Sequence, residues 1–231
     1  MSELFNKIKC GLIVSCQSEG EDPFNTPEGV TMFARAAIMG GAVAIRSQGL
    51  DKTEMIKKSV DVPVIGLLKS YFPDGSVRIT GSFKEVGDLI SVSSDIIAID
   101  GTFREREGLS GPDFIKEVKK RYNCVVMADI ATLKEGIACF EAGADCVSST
   151  LSGYTPETSG SPKFTPDYEL VEKLVKEISI PVIAEGKINS PGYAAEMMKR
   201  GAWAVVVGTA ITRPRVVTGW YVEAIKNRGK K

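Results

Sequence analysis

A single closed (β/α)8 barrel running through residues 1–231 is the fold that this sequence predicts, on three observations. Eight short runs rich in β-branched residues recur from end to end, each nearly continuous in apolar residues rather than alternating. Parallel strands covered on both faces read this way. Longer amphipathic stretches separate them, and 231 residues suit one such barrel, of roughly 200–250 residues, with no linker to divide it. A weak repeat is the third sign. Gly-Ala introduces even-numbered runs at 41–42, 143–144 and 201–202, and Val/Ile-Pro-Val-Ile introduces odd ones at 62–65 and 180–183. An open doubly wound sheet is the rival architecture.

In order, the runs are GLIVSCQ (11–17), GAVAIR (41–46), VPVIGLLK (62–69), DIIAID (95–100), CVVMADI (124–130), DCVSST (145–150), PVIAEG (181–186) and AVVVG (204–208). The helical stretches carry their own punctuation. Pro27 suits a first turn and Gly40 a C-cap; Asp51, Thr132 and Ser190 suit N-caps; Pro191 suits another first turn; Gly143 and Gly201 fall where helices end. After the sixth run comes SGYTPETSGSPKFTP (152–166), an irregular segment long enough to imply a functional loop.

Composition removes whole classes of chemistry. Twenty-nine Lys and Arg balance 29 Asp and Glu, which argues against nucleic acid or an anionic membrane as the main partner. No apolar run reaches the roughly 18 residues of a membrane span, and MSELFNKIKCG lacks the apolar core of a signal peptide. The five cysteines form no CxxC pair and read as buried, reduced thiols of a cytoplasmic protein. Histidine is absent. That excludes Ser-His-Asp and Cys-His catalysis and leaves carboxylates, lysine or tyrosine for proton transfer.

Side chains at strand C-termini line the active mouth of such a barrel. The odd runs end in Gln17, Lys69, Asp129 and Glu185, at nearly even spacing, so these four form a candidate polar ring. Arg46 and Asp100 end even runs and belong to the adjacent layer, and Thr150 ends the sixth. Opposite charges converging at partly buried positions are costly unless they serve a purpose. A phosphate site is the second signal. Gly186 and Lys187 leave the seventh run, Gly208 and Thr209 leave the eighth, and Gly208–Ile211 has room for the short extra helix that barrels use there. Glycine lets backbone N–H groups approach an anion, and Arg213 could close over it with a bidentate contact. The Trp and Tyr residues are assigned to packing.

Taken in order, GLIVSCQ, GAVAIR, VIGLLK, IIAIDGT, MADI, STLSGYT, IAEGKINSP and VVVGTAITRP resemble the N-acetylmannosamine-6-phosphate 2-epimerases over essentially the whole chain. The resemblance implies a (β/α)8 barrel that interconverts N-acylmannosamine and N-acylglucosamine 6-phosphates in sialic acid breakdown, without metal or organic cofactor. It places the acid–base pair on Lys69 and Glu185. Substrate contacts fall on Gln17, Arg46, Asp129, Gly186, Gly208 and Arg213. The expected partner is thus a small phosphorylated amino sugar, with a homodimer as the assembly considered.

Epimerising carbon 2 of an acetamido sugar means removing a proton beside a carbonyl, so the ring must open, and returning it on the other face. A carboxylate and an ammonium flanking that carbon would suffice. The expected resting pair is an ionised Glu185 and a protonated Lys69, with Arg46 and Gln17 steadying the developing enediolate oxygen. Asp129 would hold a sugar hydroxyl or orient Lys69. Two rivals use the same residues: an aldolase forming a Schiff base on Lys69, and a sugar-phosphate-binding protein without catalysis.

Overall fold

The structure, a computed structural model, describes residues 3–160 and 164–228. Eight parallel strands close on themselves: β1 (Leu12–Cys16), β2 (Ala44–Gln48), β3 (Val64–Leu67), β4 (Ile96–Asp100), β5 (Val126–Asp129), β6 (Cys146–Ser148), β7 (Val182–Ala184) and β8 (Ala204–Val207). Each pairs with its neighbours in chain order, and β8 returns to β1 through the register Leu12–Val205, Ile13–Val206 and Val14–Val207. Around it run α1 (Pro27–Met39), α2 (Leu50–Ser59), α3 (Phe83–Ser91), α4 (Gly111–Arg121), α5 (Leu133–Glu141), α6 (Tyr168–Glu177) and α7 (Pro191–Lys199). The closed barrel, not the open sheet, is the fold.

Apolar runs without alternation are explained by burial on both strand faces. Ile13, Ala44, Ile65, Ile96, Ala98, Met127, Ile183 and Val206 fill the interior, closed at the strands' N-terminal end by Phe5 and Ile8 of a helix at Glu3–Ile8. Ile97, Ile99, Val126, Ala128, Val147 and Val205 face outward against the helices. Gly41, Gly143 and Gly201 turn helices into even-numbered strands at φ values of 94°, 93° and 94°. Only glycine adopts that conformation cheaply, which accounts for the Gly-Ala repeat. Thr132 and Ser190 cap α5 and α7, each accepting a backbone N–H with its hydroxyl. Asp51 does not cap α2. That helix starts at Leu50, after Gly49 at φ 93°, and Asp51 sits in its first turn.

Three further expectations change. The third apolar run stops at Leu67, and Lys69 opens an antiparallel hairpin, Lys69–Tyr71 with Val77–Ile79, over the strands' C-terminal end. Its turn holds Phe72 N–H on the Ser76 carbonyl at 2.9 Å, with Gly75 at φ 81°. Cys10 is exposed, whereas Cys16, Cys139 and Cys146 are buried and Cys124 is half-buried; all are free thiols. The segment after β6 contains two short 3-10 turns, Ser149–Leu151 and Pro156–Thr158; positions 161–163 of the expected loop lie outside the described residues.

The last helix, α8 (Pro214–Lys226), follows a short helical turn at Thr209–Thr212 and buries none of its residues. Trp220, Tyr221, Val222 and Ile225 are exposed along it. Beside β8 and β1 an apolar groove of about 490 Å³ is lined by Leu12, Ala194, Met198, Val205, Val207 and Ile211, among others. No helix among the described residues is long and apolar enough to cross a membrane.

Candidate active site

A cavity of about 390 Å³ opens at the strands' C-terminal end. Gln17, Arg46, Lys69, Thr150, Glu185, Gly186, Lys187, Gly208, Thr209 and Arg213 all line it, which brings together ten of the residues singled out above. Its size falls within the usual range for a small-molecule site. Lys69 follows β3 and Glu185 follows β7, which stand opposite each other in the ring of eight.

Arg46 is the electrostatic centre. It projects from the middle of β2, since that strand continues to Gln48, and is almost wholly buried. Its Nη1 donates to Asp129 Oδ1 at 3.0 Å and its Nη2 to Asp129 Oδ2 at 2.5 Å, while Nη1 also lies 2.9 Å from Glu185 Oε2. Burial works against the guanidinium charge, but Asp129 and Glu185 outweigh it and keep Arg46 cationic. Its buried Nε has no partner among the described residues. Asp129 is fully buried, and it does not line the cavity. It grips Arg46 and accepts from Thr150 Oγ1 at 2.7 Å, so neither role foreseen for it is the one its contacts describe.

Glu185 is tuned by its surroundings. Burial raises its carboxyl above the ordinary carboxylate range, Arg46 pulls it down, and Asp129 pushes it up again. Thr150 Oγ1 lies 3.0 Å from Glu185 Oε2, a contact that also favours the ionised form. One hydroxyl has one proton, so Thr150 ties two carboxylates to a single shared hydrogen bond. The Ser149 hydroxyl donates to the Glu185 carbonyl at 2.9 Å and accepts from its N–H at 3.1 Å, pinning the backbone there.

Lys69 does not touch Glu185. Its Nζ is paired with Glu19 Oε1, from the segment between β1 and α1, and the same oxygen lies 3.1 Å from Arg213 Nη2. Burial works to raise the Glu19 carboxyl, yet Lys69 and Arg213 together hold it below its usual value. Gln17 donates from Nε2 to Ser15 Oγ at 2.8 Å. Gly186 has φ 105°, a conformation that strains any other residue, and Lys187 lies over the Tyr154 ring at 5.5 Å. Gly208 passes so close to β1 that an added Cβ would meet Ser15 Cβ at 3.3 Å. The expected short helix after Gly208 is present at Thr209–Thr212, and Thr212 Oγ1 donates to the Ser15 carbonyl at 2.8 Å. Asp100 lies elsewhere. It accepts from Thr102, Arg104 and Arg106 and so organises the loop after β4.

Residues 30–227 match the family model described as "Putative N-acetylmannosamine-6-phosphate epimerase". The chain belongs to the N-acetylmannosamine-6-phosphate epimerase family. Relatives carrying the 2-epimerase description include one from Caldanaerobacter subterraneus subsp. tengcongensis, 44% identical over 231 residues, with 98% of this chain and 95% of that one covered. Another, from Clostridioides difficile, is 43% identical over 224 residues, covering 96% and 99%. Among solved structures, the N-acetylmannosamine-6-phosphate 2-epimerase from Clostridium perfringens superposes with a TM-score of 0.89 at 39% identity, covering 96% of each chain. A thiamine phosphate pyrophosphorylase from Pyrococcus furiosus, at 19% identity, TM-score 0.64, and covering 97% of this chain and 96% of that one, shares the fold alone.

Several cavity residues escape a reading of the sequence. Glu19 sits in a polar stretch, SEGED, where one acid among several carries no signal. Tyr71 and Tyr154 line the cavity rather than packing a core, and Ser15 and Asn189 join them. Ser15 could have been found: it stands two residues before Gln17 on β1 and so shares its face.

Proposed function

We propose that this epimerase-family chain interconverts N-acetyl-D-mannosamine 6-phosphate and N-acetyl-D-glucosamine 6-phosphate by moving a proton at carbon 2, in amino sugar and sialic acid catabolism. The observation that carries the reading is one cavity with an ammonium and a pinned carboxylate on opposite walls. Inversion at a single carbon needs a proton donor or acceptor on each face. Glu185 takes one and Lys69 the other, their roles reversing with direction. A carboxyl raised by burial is a stronger base than an ordinary one, which suits it to take a proton from carbon.

Arg46 supplies positive charge where the enediolate oxygen develops. Donors fixed in advance, as Asp129 fixes this one, are typically worth about 3–4 kcal/mol in a transition state. Gln17 and Thr150, which line the same cavity, meet the sugar's polar groups. Gly186, Lys187, Gly208, Thr209 and Arg213 hold the phosphate, with backbone N–H groups and the guanidinium converging from the loops after β7 and β8. No cofactor enters this scheme. The buried thiols Cys16, Cys139 and Cys146 support a reducing, cytoplasmic setting; burial pushes the Cys16 thiol up to about 12 and the other two further.

The working assembly is a homodimer in which α8 of each copy lies in the other's apolar groove. Val217, Trp220, Tyr221 and Ala224 fall three and four apart, the spacing of a packing stripe, on a helix none of whose residues is buried. An exposed apolar face beside an uncovered apolar groove favours this pairing.

Proton NMR of N-acetylmannosamine 6-phosphate with the enzyme in deuterium oxide tests the reaction. Deuterium should enter carbon 2 as the gluco epimer appears, with no carbon–carbon cleavage. Trapping of a substrate adduct on Lys69 by borohydride would instead establish the aldolase.

A further inference from the structure

We infer that Glu19 is an internal counter-anion that locks Lys69 and Arg213 until a phosphorylated substrate displaces it, so that the phosphate group licenses catalysis as well as binding. This rests on the assignment of Lys69 to carbon 2 and Arg213 to phosphate.

The geometry carries the argument. A single oxygen, Glu19 Oε1, contacts both the Lys69 ammonium and, at 3.1 Å, the Arg213 guanidinium. These two cations have separate tasks in the reaction, one at carbon 2 and one at the far end of the sugar. A phosphate taking up Arg213 would place its negative oxygens within a few ångströms of that carboxylate. Like charges at such range repel strongly in a partly desolvated cleft. Glu19 must then leave Arg213, and in leaving it releases Lys69, because one oxygen holds both. An unphosphorylated sugar brings no charge to Arg213 and leaves the lock closed.

The surroundings let the side chain move without the loop. Glu19 is 45% exposed, so its carboxylate can turn outward into water at little cost. The segment behind it is anchored: Asn25 Nδ2 donates to the Gly20 carbonyl at 2.8 Å, Lys52 holds Asn25, and the Phe24 ring lies against Phe33 with centroids 4.6 Å apart. Gly20, at φ 58°, has open space where a side chain would stand.

The test is Glu19→Gln, assayed with N-acetylmannosamine 6-phosphate, with free N-acetylmannosamine, and with the free sugar plus inorganic phosphite. Removing the carboxylate's charge should raise kcat/KM for the free sugar about tenfold. Phosphite should stimulate the free-sugar reaction of the wild type and stimulate the variant less, by a similar factor. Titration with inorganic phosphate should show severalfold tighter binding to the variant, a readout independent of turnover. Glu19→Asp, charged but too short to reach both cations, should lie between. The inference is overturned if Glu19→Gln lowers kcat equally for both sugars at unchanged KM, which would make Glu19 a positioning residue for Lys69. It is also overturned if nothing changes. Arg213→Ala separates the two levels: an unaltered KM for the phosphorylated sugar there would sink the phosphate assignment itself.

Discussion

Lys69 and Glu185 should behave as one catalytic unit although they do not touch. Lys69→Met or Glu185→Gln should each lower kcat by about 10² or more, and the double variant should be little worse than the poorer single. Near wild-type epimerisation by Lys69→Met would leave Glu185 as the sole base. The pH profile follows from the carboxyl. Glu185 is raised by burial, and the proposed scheme has its ionised form take the proton, so kcat/KM should climb as pH rises through a value above the ordinary ~4.3. Thr150→Val removes a hydrogen bond that favours the ionised form, so the acid limb should move to higher pH. An unmoved limb would mean that Thr150 serves Asp129 alone. At this scale most of the site was legible, because a polar residue ending an apolar strand announces itself. Asp129 and Asp100 show the limit: both carry that signal, yet one holds Arg46 and the other a loop. Sequence position marks a buried charge without naming its partner.

The strands were legible to within three residues at either end because burial on both faces leaves an unbroken apolar run. The hairpin carrying Lys69 was not. Its signal is a Pro-Asp-Gly turn between two short segments, SY and VRI, too brief to read as strands beside the long run before them. The C-terminal helix is the element whose packing the sequence leaves open, since an amphipathic stripe says that a helix packs and not against what. Sedimentation should find a dimer for the wild type and a monomer for Trp220→Glu combined with Ile225→Glu. A variant that stays dimeric would assign those side chains to another surface. Arg213 directly precedes α8, and Arg215 Nε lies 4.0 Å from Asp22 Oδ2. The monomeric variant should therefore also show a raised KM for the phosphorylated sugar.

For the molecule as a whole, stability should draw on the core and not on sulfur or metal. Cys16, Cys139 and Cys146 are sealed in apolar surroundings, so native protein should react with a thiol reagent at Cys10 first, and denatured protein should yield all five thiols without reductant. Fewer than five would reveal a disulfide. Chelator should leave turnover unchanged; a loss restored by added metal would overturn the cofactor-free scheme. The barrel itself was legible from length, run count and repeat, since those are properties of the whole chain and survive errors in any one part. Its closure has a consequence for how the protein is made. Strand β8 pairs with β1, and Gln17 and Glu19 from the start of the chain meet Gly208 and Arg213 from its end. A nascent chain that has yet to deliver β8 leaves both β1 and β7 as bare edges, open to aggregation on the ribosome. It also has Lys69, Glu185 and the loop after β7 but lacks Gly208, Thr209 and Arg213, the rest of the proposed phosphate site. Barrel closure and site completion are therefore coupled: β8 covers the exposed edges, and the residues that follow it, Gly208 to Arg213, complete the candidate site.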